Sequence, residues 1–227
     1  MSKVIVFGSH GKVGQKLIKL LAQADKYQTT AVIRNSEQAE TIKNISQATK
    51  NVSTTELDIG DSSVQKLAKT IEGHNAVVLT VGSGGKGLLK VDLDGVVKAF
   101  EAAVQAKVRR LVLVSALYAF DREFGAASPL RDYYIAKHYA DRILQNEFKD
   151  SLDFTILRPT HLTDGEGTGK VAILKGEKDL GHIDRQDVAQ VIFEVLDKKS
   201  TYGRAYDFKA GDSEISSEKT WARSGED

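Results

Sequence analysis

With 227 residues, 41% of them hydrophobic, the chain is long enough for one α/β domain with a sizeable core. Its 32 basic and 31 acidic residues leave a formal charge of +1, which argues against a broad nucleic-acid-binding face. The absence of cysteine excludes disulfides, thiol nucleophiles and cysteine-ligated zinc, and it fits a reducing compartment.

The first apolar run, Val4-Ile5-Val6-Phe7, is too short for a signal peptide and reads as an opening strand. No stretch approaches the roughly 18 apolar residues of a membrane span. A cytoplasmic protein without membrane or nucleic-acid partners is expected. The strand leads directly into Gly8-Ser9-His10-Gly11-Lys12-Val13-Gly14, and Val13, Leu17, Leu20, Leu21 and Ala24 follow at helical spacing. That layout describes a glycine-lined turn and a helix N-terminus facing a diphosphate. Gly8 serves the tight turn, Gly11 the approach of backbone to phosphate, and Gly14 the packing of helix on sheet. A second strand, Thr29 to Ile33, ends at Arg34, twenty residues past Gly14. A cation there, where an NAD-specific protein places a carboxylate on the ribose 2′-OH, points to NADP(H) rather than NAD(H). Lys12 offers a second positive charge.

Further strands are expected over Val52–Leu57, Ala76–Val81, Leu111–Val114, Phe154–Leu157 and Ala205–Phe208. The unbroken apolar runs suit strands buried on both faces, as in parallel sheets. Leu93, Val96, Val97, Phe100 and Val104 form one helical stripe. Ser128-Pro129 reads as a serine cap and first-turn proline of a helix reaching Phe148. Val188, Val191, Ile192 and Val195 mark a late helix. The expected architecture is a single doubly wound parallel sheet, Rossmann-type, with helices on both faces. The domain would span residues 1–211, with a glycine-rich substrate-side segment at 159–183 and a polar tail at 212–227 anchored by Trp221.

Past the cofactor, Tyr133 and Lys137 stand four apart on one helix face. A neighbouring ammonium favours phenolate over phenol, so Tyr133 is expected to titrate low and to exchange a proton with a carbonyl oxygen. Ser115, at a strand end, is placed to hydrogen-bond the same oxygen, and Lys137 to hold the ribose. Lys86, in Gly82-Ser83-Gly84-Gly85-Lys86-Gly87, reads first as a solvated loop residue and second as a contact to substrate or phosphate. The histidines, His10, His74, His138, His161 and His182, show no metal-ligand spacing, so no metal site is expected. No serine occupies a G-x-S-x-G elbow.

Together these stretches resemble the short-chain dehydrogenase/reductase superfamily, in its atypical branch of compact NmrA-like and epimerase-like NAD(P)-binding proteins. The resemblance runs from Val4 to about Phe208. It is carried by Gly8-x-x-Gly11-x-x-Gly14, Leu57-Asp58, Val114-Ser115-Ala116, Tyr133-x-x-x-Lys137 with Ala140-Asp141, Arg158-Pro159, Thr168-Gly169-Lys170 and Ile183 to Ala189. It implies that Asp58 and Ile59 flank the adenine and that Thr80, Val81 and Gly82, in the turn to Gly84, lie along the cofactor. It further implies a catalytic trio of Ser115, Tyr133 and Lys137, with Pro159 to Leu162 passing near the nicotinamide. The chain is too short for the substrate domain of extended members. Three readings stay open: an NADP(H)-dependent reductase of a small carbonyl or quinone-like compound, a non-catalytic NADP(H) sensor or regulatory protein, and an epimerase or isomerase with bound cofactor. Either a monomer or a homodimer is compatible with the sequence.

Overall fold

The computed structural model describes residues 1–176 and 180–222. β1 (Ser2–Phe7), α1 (Lys12–Ala22), β2 (Tyr27–Ile33), α2 (Ser36–Ile45), β3 (Val52–Glu56), α3 (Val64–Ile71) and β4 (Ala76–Leu79) alternate in the first part of the chain. A π-helical turn, Leu88–Gly95, precedes α4 (Val96–Gln105), followed by β5 (Arg110–Val114), α5 (Arg122–Ala127), α6 (Arg131–Glu147) and β6 (Asp153–Pro159). The remaining elements are β7 (His161–Thr163), β8 (Lys170–Leu174), β9 (His182–Asp184), α7 (Arg185–Val195), a 3-10 turn at Lys199–Thr201, β10 (Arg204–Ala210), β11 (Ser213–Glu214) and α8 (Glu218–Trp221).

Among the described residues nine strands form the main sheet, in the order β11-β8-β10-β6-β5-β4-β1-β2-β3. Neighbours from β3 through β10 run parallel, whereas β8 is antiparallel to β10 and to β11. Side-chain alternation along each strand divides the core in two. Val4 and Val6 of β1 join α1, α2 and α7 on one face, while Ile5 and Phe7 join α3, α4 and α6 on the other. This is the expected doubly wound, Rossmann-like sheet. Its strand order reverses between β1 and β4, so the chain leaving those two strands diverges and opens a crevice at their carboxyl ends.

Several local expectations change. β4 ends at Leu79 rather than Val81; Thr80, just past it, donates both its N–H and its hydroxyl to the Phe7 carbonyl, each at 3.0 Å. Ser128 does not cap α6. It ends α5, and its hydroxyl accepts from the Leu130 N–H, so that α6 starts at Arg131 without a side-chain cap. The buried stripe of α4 runs through Val96, Ala99, Phe100, Ala102 and Ala103, leaving Val104 exposed. The 159–183 segment contributes β7, β8 and the start of β9; its residues 177–179 lie outside the described residues.

The stretch read as a polar tail adds β11 and α8 to the fold, with residues 223–227 outside the description. Trp221 is fully buried, its indole N–H donates to the Ile215 carbonyl at 2.8 Å, and its ring meets Tyr206 edge-on at 5.4 Å. Trp221→Ala is expected to cost about 3–5 kcal/mol, as for other buried aromatics. Urea unfolding measures this; a loss below about 1 kcal/mol would show that α8 adds little to the core.

Candidate functional site

The glycine turn is built by exclusion. Gly8 has φ +79°, and a β-carbon there would press within 2.7 Å of the Thr80 carbonyl oxygen. A β-carbon on Gly14 would overlap the Gly8 carbonyl oxygen and reach 2.8 Å from Ser9 Cα. The Gly11 N–H donates to the Gly8 carbonyl at 2.9 Å, and Gly11 then serves as the N-cap of α1 without a side-chain cap. No acidic residue occupies the first turn of that helix, so its N-terminal amides and dipole are presented to an anion uncompensated. Such a cradle fits the diphosphate of a dinucleotide.

Beyond the cradle lies a cleft of about 650 Å³ at the carboxyl ends of β1 to β4. Gly8, His10, Gly11, Arg34, Asp58, Ile59, Thr80, Val81 and Gly82 line it, as does Lys86. These nine residues were all singled out in the sequence, and the strand order brings them together. Other members of the cofactor set stand back. Ser9 is fully buried and donates its hydroxyl to the Val32 carbonyl at 2.5 Å, bracing the turn from beneath. Val13 packs on the core and Gly14 is buried beneath it. The Lys12 ammonium pairs with Asp164 at 2.6 Å, and Asp164 also meets Arg185. Arg34 is exposed, and its N–H donates to the side chain of Gln38, a buried residue that the sequence reading missed. The Asp58 carboxylate accepts from Gly60 and Asp61 N–H groups and so shapes its own turn.

Ser115 and Lys137 are buried behind the cleft, Ser115 beside Asp141, and the half-buried Tyr133 stands next to Lys137. Lys137 is 4% exposed; its ammonium stands 3.7 Å from Asp92 and donates to the Val81 carbonyl at 3.4 Å. The ammonium lies over the Tyr133 ring, 5.5 Å from its centroid, rather than beside the hydroxyl. Burial pushes the Tyr133 phenol far above its ordinary range, and Asp92 and Asp141 push it further. The expected lowering is therefore not found: desolvation, then Asp92 and Asp141, set the direction upward instead. Burial also lowers the Lys137 pKa, opposed by the same two acids. Ser115 Oγ and Asp141 Oδ1 are both buried, and the Ser115 hydroxyl acts on the Asp141 carboxylate although neither atom meets good hydrogen-bond geometry among the described residues. Asp141 is held instead by Arg158 at 2.7 Å. Burial raises its carboxyl pKa, opposed chiefly by Arg158. Pro159 is buried at the end of β6 and accepts from Leu117 through its carbonyl, outside the cleft wall.

The glycine-rich segment after β7 folds around two carboxylates at the start of α7. Asp184 accepts from the Thr163 hydroxyl at 2.6 Å and from the Gly165 and Gly167 amides. Asp187 accepts from the Thr168 and Gly169 amides at 2.8–2.9 Å. Its glycines meet these acids closely: a β-carbon on Gly167 would stand 2.8 Å from Asp187 Oδ1. His161 and His182 are exposed register partners on β7 and β9.

A family model described as NAD(P)H-binding matches residues 8–199, and the chain belongs to that family. The resemblance to the atypical short-chain dehydrogenase/reductase branch agrees with it. YhfK of Bacillus subtilis, described as an uncharacterized sugar epimerase, is 37% identical over 94% of this chain and 96% of its own length. The oxidoreductase YlbE of Lactococcus lactis superposes with a TM-score of 0.83 at 36% identity, covering 94% of this chain and 93% of that one. A short-chain dehydrogenase/reductase of Veillonella parvula solved with NADP superposes at 0.72 over 93% and 96% of the two chains; at 18% identity it shares the fold.

Gly14→Ala is expected to displace α1 from the turn, lowering stability by about 1–3 kcal/mol and weakening NADP(H) and NAD(H) alike. Thermal unfolding and calorimetric titration measure both effects. Unchanged nucleotide affinity would separate the glycine turn from the cofactor.

Proposed function

We propose that this NAD(P)-binding protein is an NADP(H)-dependent reductase of a small carbonyl or quinone-like compound. The observation that carries the reading is at Val81. That residue lines the cleft beyond the glycine turn, and its carbonyl accepts from Lys137, so cleft and Tyr133/Lys137 pair share one wall. The likeness to an oxidoreductase over nearly the full chain supports it.

In this reading the α1 amides hold the diphosphate and the Arg34 guanidinium takes the 2′-phosphate through a charge-assisted fork. Gln38 orients the Arg34 backbone, and no carboxylate stands at the end of β2 to repel that phosphate. Hydride transfer is the chemistry the bound dinucleotide supplies. Tyr133 acts as the acid that protonates the substrate oxygen. Its raised pKa keeps the phenol protonated but makes it a weaker acid, so the role rests on the place of Tyr133 beside Lys137 rather than on its titration. Lys137 holds the ribose, and Ser115 orients the substrate oxygen after its hydroxyl turns from the interior.

A second reading, a non-catalytic NADP(H) sensor, is favoured by one observation: Ser115 is only 4% exposed, and its hydroxyl is buried. A third, an epimerase with retained cofactor, draws on the description of YhfK. A carbonyl and quinone screen followed by loss of NADPH absorbance separates the first two, and cofactor carried through purification marks the third.

Arg34→Ala is expected to weaken NADP(H) about tenfold to a hundredfold, from one charge-assisted pair of roughly 1.5–3 kcal/mol, with little change for NAD(H). Equal weakening of both would remove the phosphate from Arg34. Tyr133→Phe should bind NADPH as the wild type does and lose turnover by roughly a hundredfold or more. Undiminished turnover would exclude Tyr133 as the acid.

A further inference from the structure

Asp92 is buried to 1% exposure on an element that is otherwise largely open. It sits in the π-helical turn between the Gly82–Gly87 loop and α4, a kind of distortion concentrated at functional sites. The neighbouring Asp94 faces outward and pairs with Lys98, as an ordinary surface acid does. Asp92 instead divides its two oxygens. Oδ1 faces the Lys137 ammonium at 3.7 Å, and Oδ2 accepts from the Ser83 N–H at 3.0 Å. Ser83 and Val81 both line the cleft, and Val81 is the acceptor for Lys137.

A buried ammonium is tolerated when a carboxylate and hydrogen bonds replace its hydration. The charged groups facing Lys137 are Asp92 from the π turn and Asp141 from its own helix, with Tyr133 beside it. Asp141 is committed to Arg158 of β6 at 2.7 Å, leaving Asp92 as the acid in ion-pair contact with Lys137 among the described residues. Losing the Asp92 charge would leave Lys137 facing a carbonyl and a carboxylate already neutralised elsewhere. The Ser83 amide, in contrast, needs only an acceptor.

We propose that Asp92 is the positioning residue of this site, holding Lys137 protonated and fixing the Val81–Ser83 wall of the cofactor cleft against it. One carboxylate thereby sets both the charge behind the Val81–Ser83 wall of the cleft and the shape of that wall. The role given to Lys137 toward cofactor rests on the function proposed above; the pairing with Asp92 does not.

The test is NMR of the full chain labelled at lysine Cε, with the Lys137 resonance assigned from Lys137→Met, together with NADPH titrations across pH. In Asp92→Asn, the amide oxygen still accepts from Ser83 while the charge is lost. The Lys137 titration midpoint should fall by at least about one pH unit. Because a lowered pKa removes the charge at a lower pH, NADPH binding by Asp92→Asn should match wild type below its own Lys137 midpoint. It should weaken by about tenfold as pH rises through that midpoint, while the wild type holds to a higher pH. Asp92→Glu, which keeps the charge, should leave the midpoint close to wild type. An unchanged midpoint in Asp92→Asn, or equal falls in the Asn and Glu variants, would overturn the proposal. If Lys137→Met binds NADPH undiminished, the cofactor role of Lys137 fails, while the midpoint of Asp92→Asn still decides the pairing.

Discussion

Close approach of main chain to main chain at Gly8 and Gly14 governs the molecule. The turn after β1 is packed so tightly under α1 and against Thr80 that neither position has room for a β-carbon. From that contact the helix gains its start beside the sheet, its free amides face the crevice, and Thr80 is tied to the Phe7 carbonyl at the end of β4. A side chain at either glycine would separate α1 from β1 and disturb the boundary at which strand order reverses. The position of the cleft is thus a consequence of packing before it is a matter of ligand chemistry.

Behind this backbone cradle stands a second layer in which charges replace solvent. Lys137, Asp92, Asp141 and Arg158 are nearly inaccessible, and each is held by a partner contributed from another element. Such a cluster stabilises little by itself, since desolvation offsets most of the attraction. Its effect is specificity of arrangement: α6, β6 and the π turn must meet in one way for the charges to pair. A comparable device works at the opposite end of the sheet. Arg110 is buried and donates to the Val195 and Leu196 carbonyls at the end of α7 and to Asp153 and Thr155 of β6. Burial lowers that guanidinium to about 10.

The features legible in the sequence were those whose cause is local. Glycine spacing states what the backbone must do between residues 8 and 14. Apolar runs announce buried strands, and the α7 stripe Val188, Val191, Ile192 and Val195 is buried as its period requires. The α5 helix was not legible: it is short, contains Gly125, and is held by Phe124 and Tyr134 packing edge-on at 5.2 Å. Nor was the Asp92–Lys137 pair, because two residues in different elements meet only through the order in which strands assemble. Tyr133 shows the limit most clearly. Its spacing to Lys137 puts both on α6, yet the desolvation and the carboxylates Asp92 and Asp141 that turn its titration upward have no sequence signature.

The two borders of the sheet have a bearing on how the molecule behaves in a crowded solution. At one border β11 offers only Ser213 and Glu214, and at the other β3 carries Ser53, Thr54 and Glu56 outward. Unpaired backbone on a long, greasy border strand invites another chain to dock and polymerise. The hydroxyl-rich β3 withholds that template on one side, while on the other β11 covers Lys170 and Val171 of β8 and leaves only the short run 172–174 without a strand neighbour on that side among the described residues.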